Sequence, residues 1–115
     1  MISKNLLEEI LSFRHERDWE KFHTTRNLSS AICVEAAELL DIFRWACDSE
    51  LPSILTQHRS EIENEVADVA ILLMYLCNDL NISVEDVVRK KIEINRKKYP
   101  VEKAKGKFTK YNRLD

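Results

Sequence analysis

An all-α fold, an antiparallel four-helix bundle, is what this sequence predicts, on three observations. Apolar residues recur at helical spacing in four separate stretches. One glycine, Gly106, and two prolines, Pro52 and Pro100, interrupt 115 residues, too few breakers for the tight turns of an all-β fold. The links between the periodic stretches are short, which favours antiparallel neighbours.

The first helix is expected from about Lys4 to Arg17, with Ser3 as its cap and Leu6, Leu7, Ile10, Leu11 and Phe13 as its apolar positions. "RDWEKFHTTRN" then reads as a loop without a period, ending in Asn27 as N-cap. The second helix is expected over about Leu28 to Ala46. The polar link "CDSELPSILTQHR" has room for a short helical turn. Ser60 and Glu63 have capping-box spacing and open the third helix, which runs to about Asp79. Residues 66 to 77 are apolar nearly all round, as in a helix buried on most sides. Ser83 and Asp86 open the fourth helix, and Pro100 bounds it after Tyr99.

The division expected is one helical domain over 1–100 and a basic tail over 101–115, disordered alone or draped over a partner. An apolar content of 44% is enough for a core, and a unit this small gains from pairing with copies of itself. A net charge of -2 gives no support to binding a nucleic-acid polymer. Cys33, Cys47 and Cys77 show no paired spacing, which points to a reducing compartment, with Cys33 and Cys77 as small buried hydrophobes. "MISKNLLEEI" carries acid within its apolar run, unlike a signal peptide. "VAILLMYLC" is too short to cross a bilayer, so a soluble, cytoplasmic protein with no membrane contact is expected.

Two carboxylates stand where they are least expected. With each residue turning about 100°, Leu28, Ala31, Ile32, Leu39 and Ile42 fall within roughly 60° of Glu35, and Glu38 lies about 60° to the other side. Both acids interrupt the apolar stripe of the second helix. Glu65 and Asp68 repeat the one-turn spacing on the third helix, with Leu72 and Leu76 continuing that side. One Glu-x-x-Glu is ordinarily a solvated edge, and acids in a first turn also suit the helix dipole. Two such pairs facing each other bring four carboxylates together. Desolvating an ion costs several kcal/mol, and crowded acids repel one another. A multivalent cation resolves both costs, so Glu35, Glu38, Glu65 and Asp68 read as metal ligands. All-oxygen ligands suit Mg²⁺ or Mn²⁺. A di-iron bundle would use Glu-x-x-His, which is missing here.

On the fourth helix Lys91 and Asn95 fall inside the apolar arc of Val84, Val87, Val88, Ile92 and Tyr99. A buried amide needs partners, and a triphosphate or base beside the metal would supply them. Trp19 and Trp45 suit a flat ring held between them, though tryptophan is ordinarily core.

The segments "RDWEKFHTTRNL", "EAAEL", "EVADV" and "KIEINRKKYPV", in that order, resemble the MazG-like all-α nucleoside triphosphate pyrophosphohydrolases, most nearly the dCTP pyrophosphatase branch. The likeness covers nearly the whole chain. It implies Mg²⁺-dependent hydrolysis of a (d)NTP to monophosphate and pyrophosphate by a dimeric or tetrameric bundle that clears unwanted nucleotides. It also implies metal ligation by Glu35, Glu38, Glu65 and Asp68, with Glu38 orienting or deprotonating the attacking water. Trp19 and Trp45 would form the base pocket. Lys91, Asn95 and Tyr99, together with His23, Arg26 and Lys98, would contact substrate. Relatives often carry a tyrosine where this chain has Leu72, the nearest here being Tyr75, so the preferred base is left open. The rival from another class is a non-catalytic helical module that binds a nucleotide or a partner.

Overall fold

The computed structural model, which describes residues 2–115, starts three of its helices where a hydroxyl can accept a free backbone N–H. Ser3 accepts from Leu6 at 3.2 Å, Thr24 from Asn27 at 3.1 Å and Ser83 from Asp86 at 3.3 Å. Each such cap is worth about 1 kcal/mol. The helices are α1 (Lys4–Glu16), α2 (Thr25–Asp41), α3 (Leu51–Gln57), α4 (Arg59–Asp79), α5 (Val84–Lys98) and α6 (Val101–Ala104). No strand occurs among the described residues, so the all-α expectation holds.

Several expected boundaries move. The second helix starts at Thr25 rather than Leu28, because Thr24 takes the cap. Asn27 instead donates its side-chain amide to the Phe22 carbonyl at 2.9 Å. The same helix ends at Asp41 rather than Ala46. Beyond it, Phe43 and Ala46 donate to carbonyls three residues back, so the chain turns more tightly than an α-helix. The Ser60–Glu63 capping box does not form. His58 sits between α3 and α4, its N–H bonding to Ile54 and its carbonyl accepting from Ile62, so helical bonding is already under way before Ser60. Glu63 pairs with Arg59 instead, at 2.8 Å. Among the described residues six helices replace the four expected, since the polar link folds as α3 and the tail begins with α6.

The described residues divide into two units, 2–81 and 82–115. In 2–81, helices α1, α2 and α3 all pack on α4. Leu28 of α2 and Met74, Tyr75 and Cys77 of α4 are buried. The run 66 to 77 is less enclosed than its composition predicts, with Val66 at 52% exposure. Cys33 is likewise exposed rather than buried, and Cys47 is exposed too. In 82–115, Tyr99 leaves the helical region at φ -125°, as a residue before proline should. Tyr111, in a short 3₁₀ turn, lies edge-on to Tyr99 with ring centroids 6.2 Å apart. Gly106 takes the left-handed conformation at φ 76° that the turn after α6 needs. No single described helix is long and apolar enough to cross a membrane.

One ion pair fastens α1 to α4. Arg14, the one charged side chain buried among the described residues, donates two hydrogen bonds to Asp79, at 2.9 and 2.8 Å. Its guanidinium lies 4.5 Å from the centre of the Tyr75 ring, whose hydroxyl donates to the Ile10 carbonyl at 2.7 Å. The Arg14 hydrogen bond holds the Asp79 carboxyl below its ordinary value of 3.8. Removing Asp79 would leave a buried cation unpaired, and Asp79→Ala should lower the unfolding free energy by about 3 kcal/mol in denaturant titration. Because the folded state depresses this pKa, the pair's contribution is intact above pH 3.8 and is withdrawn as pH falls further. Wild type and variant should therefore converge in stability towards acid pH.

Candidate functional site

The acid pairs meet because α2 and α4 run past each other in opposite directions. Glu35 shares a cavity with Asp68, whereas Asp41, further along α2, lies with Glu61, earlier on α4. Between these ends, oxygens of Glu35, Glu38 and Glu65 lie within 4.8 Å of one another. Asp68 stands outside that trio but borders the Glu35 cavity.

The surrounding charges separate these acids from their neighbours. Asp41 pairs with Arg44 at 3.0 Å and Glu61 with His58 at 3.3 Å. Among the described residues no cation pairs with Glu35, Glu38, Glu65 or Asp68. Oε2 of Glu35 and Oε2 of Glu65 are shut off from water with no hydrogen-bond partner. Desolvation, reinforced by the close approach of Glu38 and repulsion from it, pushes the Glu35 carboxyl up to about 7. Desolvation likewise raises Glu65. Two orphaned oxygens in a crowd of unneutralised acids are what a hard divalent cation would satisfy, so the residues present fit such an ion.

Beside the acids lies a cavity of about 400 Å³. Its wall is largely apolar: Ile10 and Phe13 from α1, Ile71 and Leu72 from α4, with Trp19 and His23 from the loop between α1 and α2. Trp19 meets Phe13 edge-to-face at 5.7 Å. His23 stacks at a tilt on Tyr75, centroids 5.4 Å apart, and desolvation lowers its pKa, which favours the neutral imidazole.

The remaining candidates lie elsewhere. Arg26 is exposed on the first turn of α2 and does not line the cavity. Trp45 follows the truncated α2 and is 83% exposed, with the Arg44 guanidinium 4.4 Å from its ring centre. Lys91, Asn95 and Lys98 are on α5, and Tyr99 caps it. Lys91 and Asn95 are exposed, as are the nearby apolar residues Val87, Val88 and Ile92. Lys98 Nζ lies 4.6 Å from the centre of the Tyr111 ring. Sequence reasoning missed Glu9, which also lines the cavity. The signal was present: Glu9 occupies the i+3 place in the stripe Leu6, Ile10, Phe13, the same misplacement that marked Glu35.

A family model described as MazG-like matches residues 30–114. The dCTP pyrophosphatase 1 of Rattus norvegicus is 36% identical over 104 residues, covering 89% of this chain and 61% of the relative. The protein of that name from Bos taurus is 35% identical over 118 residues, covering 97% of this chain and 70% of its own length. The chain thus spans about three fifths of the rat relative. The crystal structure of a pyrophosphatase from Archaeoglobus fulgidus superposes with a TM-score of 0.81 at 41% identity, covering 84% of this chain and 91% of that one.

The acids give stability a second pH dependence, of opposite sign to that of Asp79. A carboxyl raised from 4.5 to about 7 holds its proton longer in the folded state, so its contribution to stability is lost as pH rises through that window. Without metal, the melting midpoint should fall between pH 5 and 8, as read by circular dichroism. Mg²⁺ should raise it more at pH 8 than at pH 5. Glu35→Gln should flatten the pH dependence and reduce the Mg²⁺ effect.

Proposed function

The chain belongs to the MazG-like family, and we propose that it is a nucleoside triphosphate pyrophosphohydrolase, cutting a (d)NTP, with dCTP or a related pyrimidine nucleotide as preferred substrate, to monophosphate and pyrophosphate. The observation that carries the reading is the trio Glu35, Glu38 and Glu65, unneutralised and within 4.8 Å, beside an apolar cavity with Trp19 in its wall. The names of the rat and archaeal relatives support the same reaction class.

Glu35, Glu38, Glu65 and Asp68 would hold Mg²⁺, or Mn²⁺ in its place. When bound, the ion neutralises phosphate charge and makes water a better nucleophile. Glu38, exposed where Glu35 and Glu65 are half-buried, would orient the attacking water and take its proton. The water oxygen bonds to the α-phosphorus, the bond from that phosphorus to the α–β bridging oxygen breaks, and pyrophosphate leaves with the electron pair. Positioning and electrostatics carry most of such a step. The apolar wall with Trp19 would receive the base.

Five of the seven cations in 2–81 are already paired with acids: Arg14, Arg17, Lys21, Arg44 and Arg59. Lys91 and Lys98 enter the proposal as phosphate contacts, on the family likeness. His23, Arg26, Trp45, Asn95 and Tyr99 enter the proposal as further substrate contacts, on the family likeness. The proposal includes one domain over 1–100 with a basic tail over 101–115. It also includes assembly as a dimer or tetramer, working in the cytoplasm to clear unwanted nucleotides.

Incubation with each dNTP and Mg²⁺ should release monophosphate and pyrophosphate in equal amounts, read by anion-exchange chromatography. Glu38→Gln should cut kcat by about 10²- to 10⁴-fold with its circular dichroism spectrum unchanged. Release of single phosphate would place attack at another phosphorus. Stabilisation by Mg²⁺ and nucleotide without any turnover would leave a binding module in place of an enzyme.

A further inference from the structure

The cavity beside the acids is short of polar groups, and that shortage identifies what reads the base. Leu72 in its wall is aliphatic and offers no polar group at that point. The hydroxyl of Tyr75 is already committed to the Ile10 carbonyl, at 2.7 Å. His23 has its Nδ1 sealed off without a partner and its ring against Tyr75. Glu35 and Asp68 mark the end assigned to metal and phosphate. Trp19 offers only an N–H donor, which leaves Glu9 as the exposed acceptor: it lines the cavity from α1 and makes no hydrogen bond or ion pair among the described residues.

We propose that Glu9 selects the base, its carboxylate accepting a hydrogen bond from the exocyclic amine of cytosine or adenine held against the apolar wall. The inference rests on the cavity being the nucleoside end of the proposed nucleotide site. A carboxylate can only accept. An amino edge therefore pairs with it, whereas the carbonyl at that edge of thymine or uracil meets it lone pair to lone pair. The low polarity of the wall strengthens both the attraction and the rejection. A site with one committed hydrogen-bonding group discriminates far better than an apolar slot judging by size.

Two measurements run side by side at fixed Mg²⁺. The first is kcat/KM for dCTP, dATP, dTTP and dUTP. The second is calorimetric affinity for the α,β-imido analogues of dCTP and dTTP, which cannot be cut at that bond. Wild type should favour the amino bases by both readouts. Glu9→Leu should lose about tenfold of that preference, the worth of one charge-assisted hydrogen bond. Glu9→Gln, which keeps a carbonyl acceptor without the charge, should retain part of it. Glu9→Lys, presenting a donor, should turn the preference towards thymine and uracil. Circular dichroism should show all three folded, Glu9 being exposed.

If no triphosphate is cut but the analogues still bind with the Glu9-dependent preference, hydrolysis falls and the base contact stands. If turnover is present but wild type treats all four bases alike, Glu9 is no selector. A change of equal size for every base in Glu9→Leu would also overturn the proposal, since it would report only the removal of a negative charge. Failure of wild type to bind either analogue would overturn both readings.

Discussion

Carboxylates brought within 4.8 Å of one another resist being there, and α2 and α4 hold three of them at that distance. The cost comes from lost hydration and mutual repulsion, and it shows in the Glu35 carboxyl being driven to about 7. Packing supplies the restraint. Leu28 on α2 and Met74, Tyr75 and Cys77 on α4 are the enclosed apolar residues of this unit, and they lie on the same two helices as the acids. The fold thus holds an arrangement that its own electrostatics oppose. Such a conflict between local energy and global structure is characteristic of sites kept for function.

The second anchor works by the opposite logic. Arg14 and Asp79 tie α1 to the far end of α4 through a pair that is satisfied from within. The guanidinium, Tyr75 and the Ile10 carbonyl form one connected set, and His23 stacks on the same ring. The position of α1, and so of the wall formed by Ile10 and Phe13, follows from this set. A neutralised charge pair frames the cavity while an unneutralised acid group borders it. The two respond to protons with opposite sign because one carboxylate has its counter-charge and the other lacks it.

Much of this was legible in the residues. The period of 3.6 located α1, α2, α4 and α5, and the acids interrupting the stripe of α2 marked the candidate site. Helix ends were less legible where two caps competed. Thr24 and Asn27 are both good N-caps, and the choice turned on Asn27 finding the Phe22 carbonyl for its amide. Ser60 and Glu63 had the right spacing, but a helix already in progress through His58 left their box nothing to cap. The Arg14–Asp79 pair spans 65 positions, beyond the reach of any local pattern. Glu9 was within reach, since the rule that found Glu35 also applies to it. Trp45 moved because α2 stopped early, and the tighter turn beyond it advances about 20° more per residue, which accumulates into a different direction.

The two indoles now occupy unlike surroundings, Trp19 in the cavity wall beside Phe13 and Trp45 out in water beside Arg44. Their emission should differ in colour, the exposed one redder and more readily quenched by iodide. Trp19 is 42% exposed against 83% for Trp45, so suppressing the outer signal leaves fluorescence weighted towards the cavity. The chain therefore carries a built-in optical gauge of whatever enters beside the acids, with no label attached.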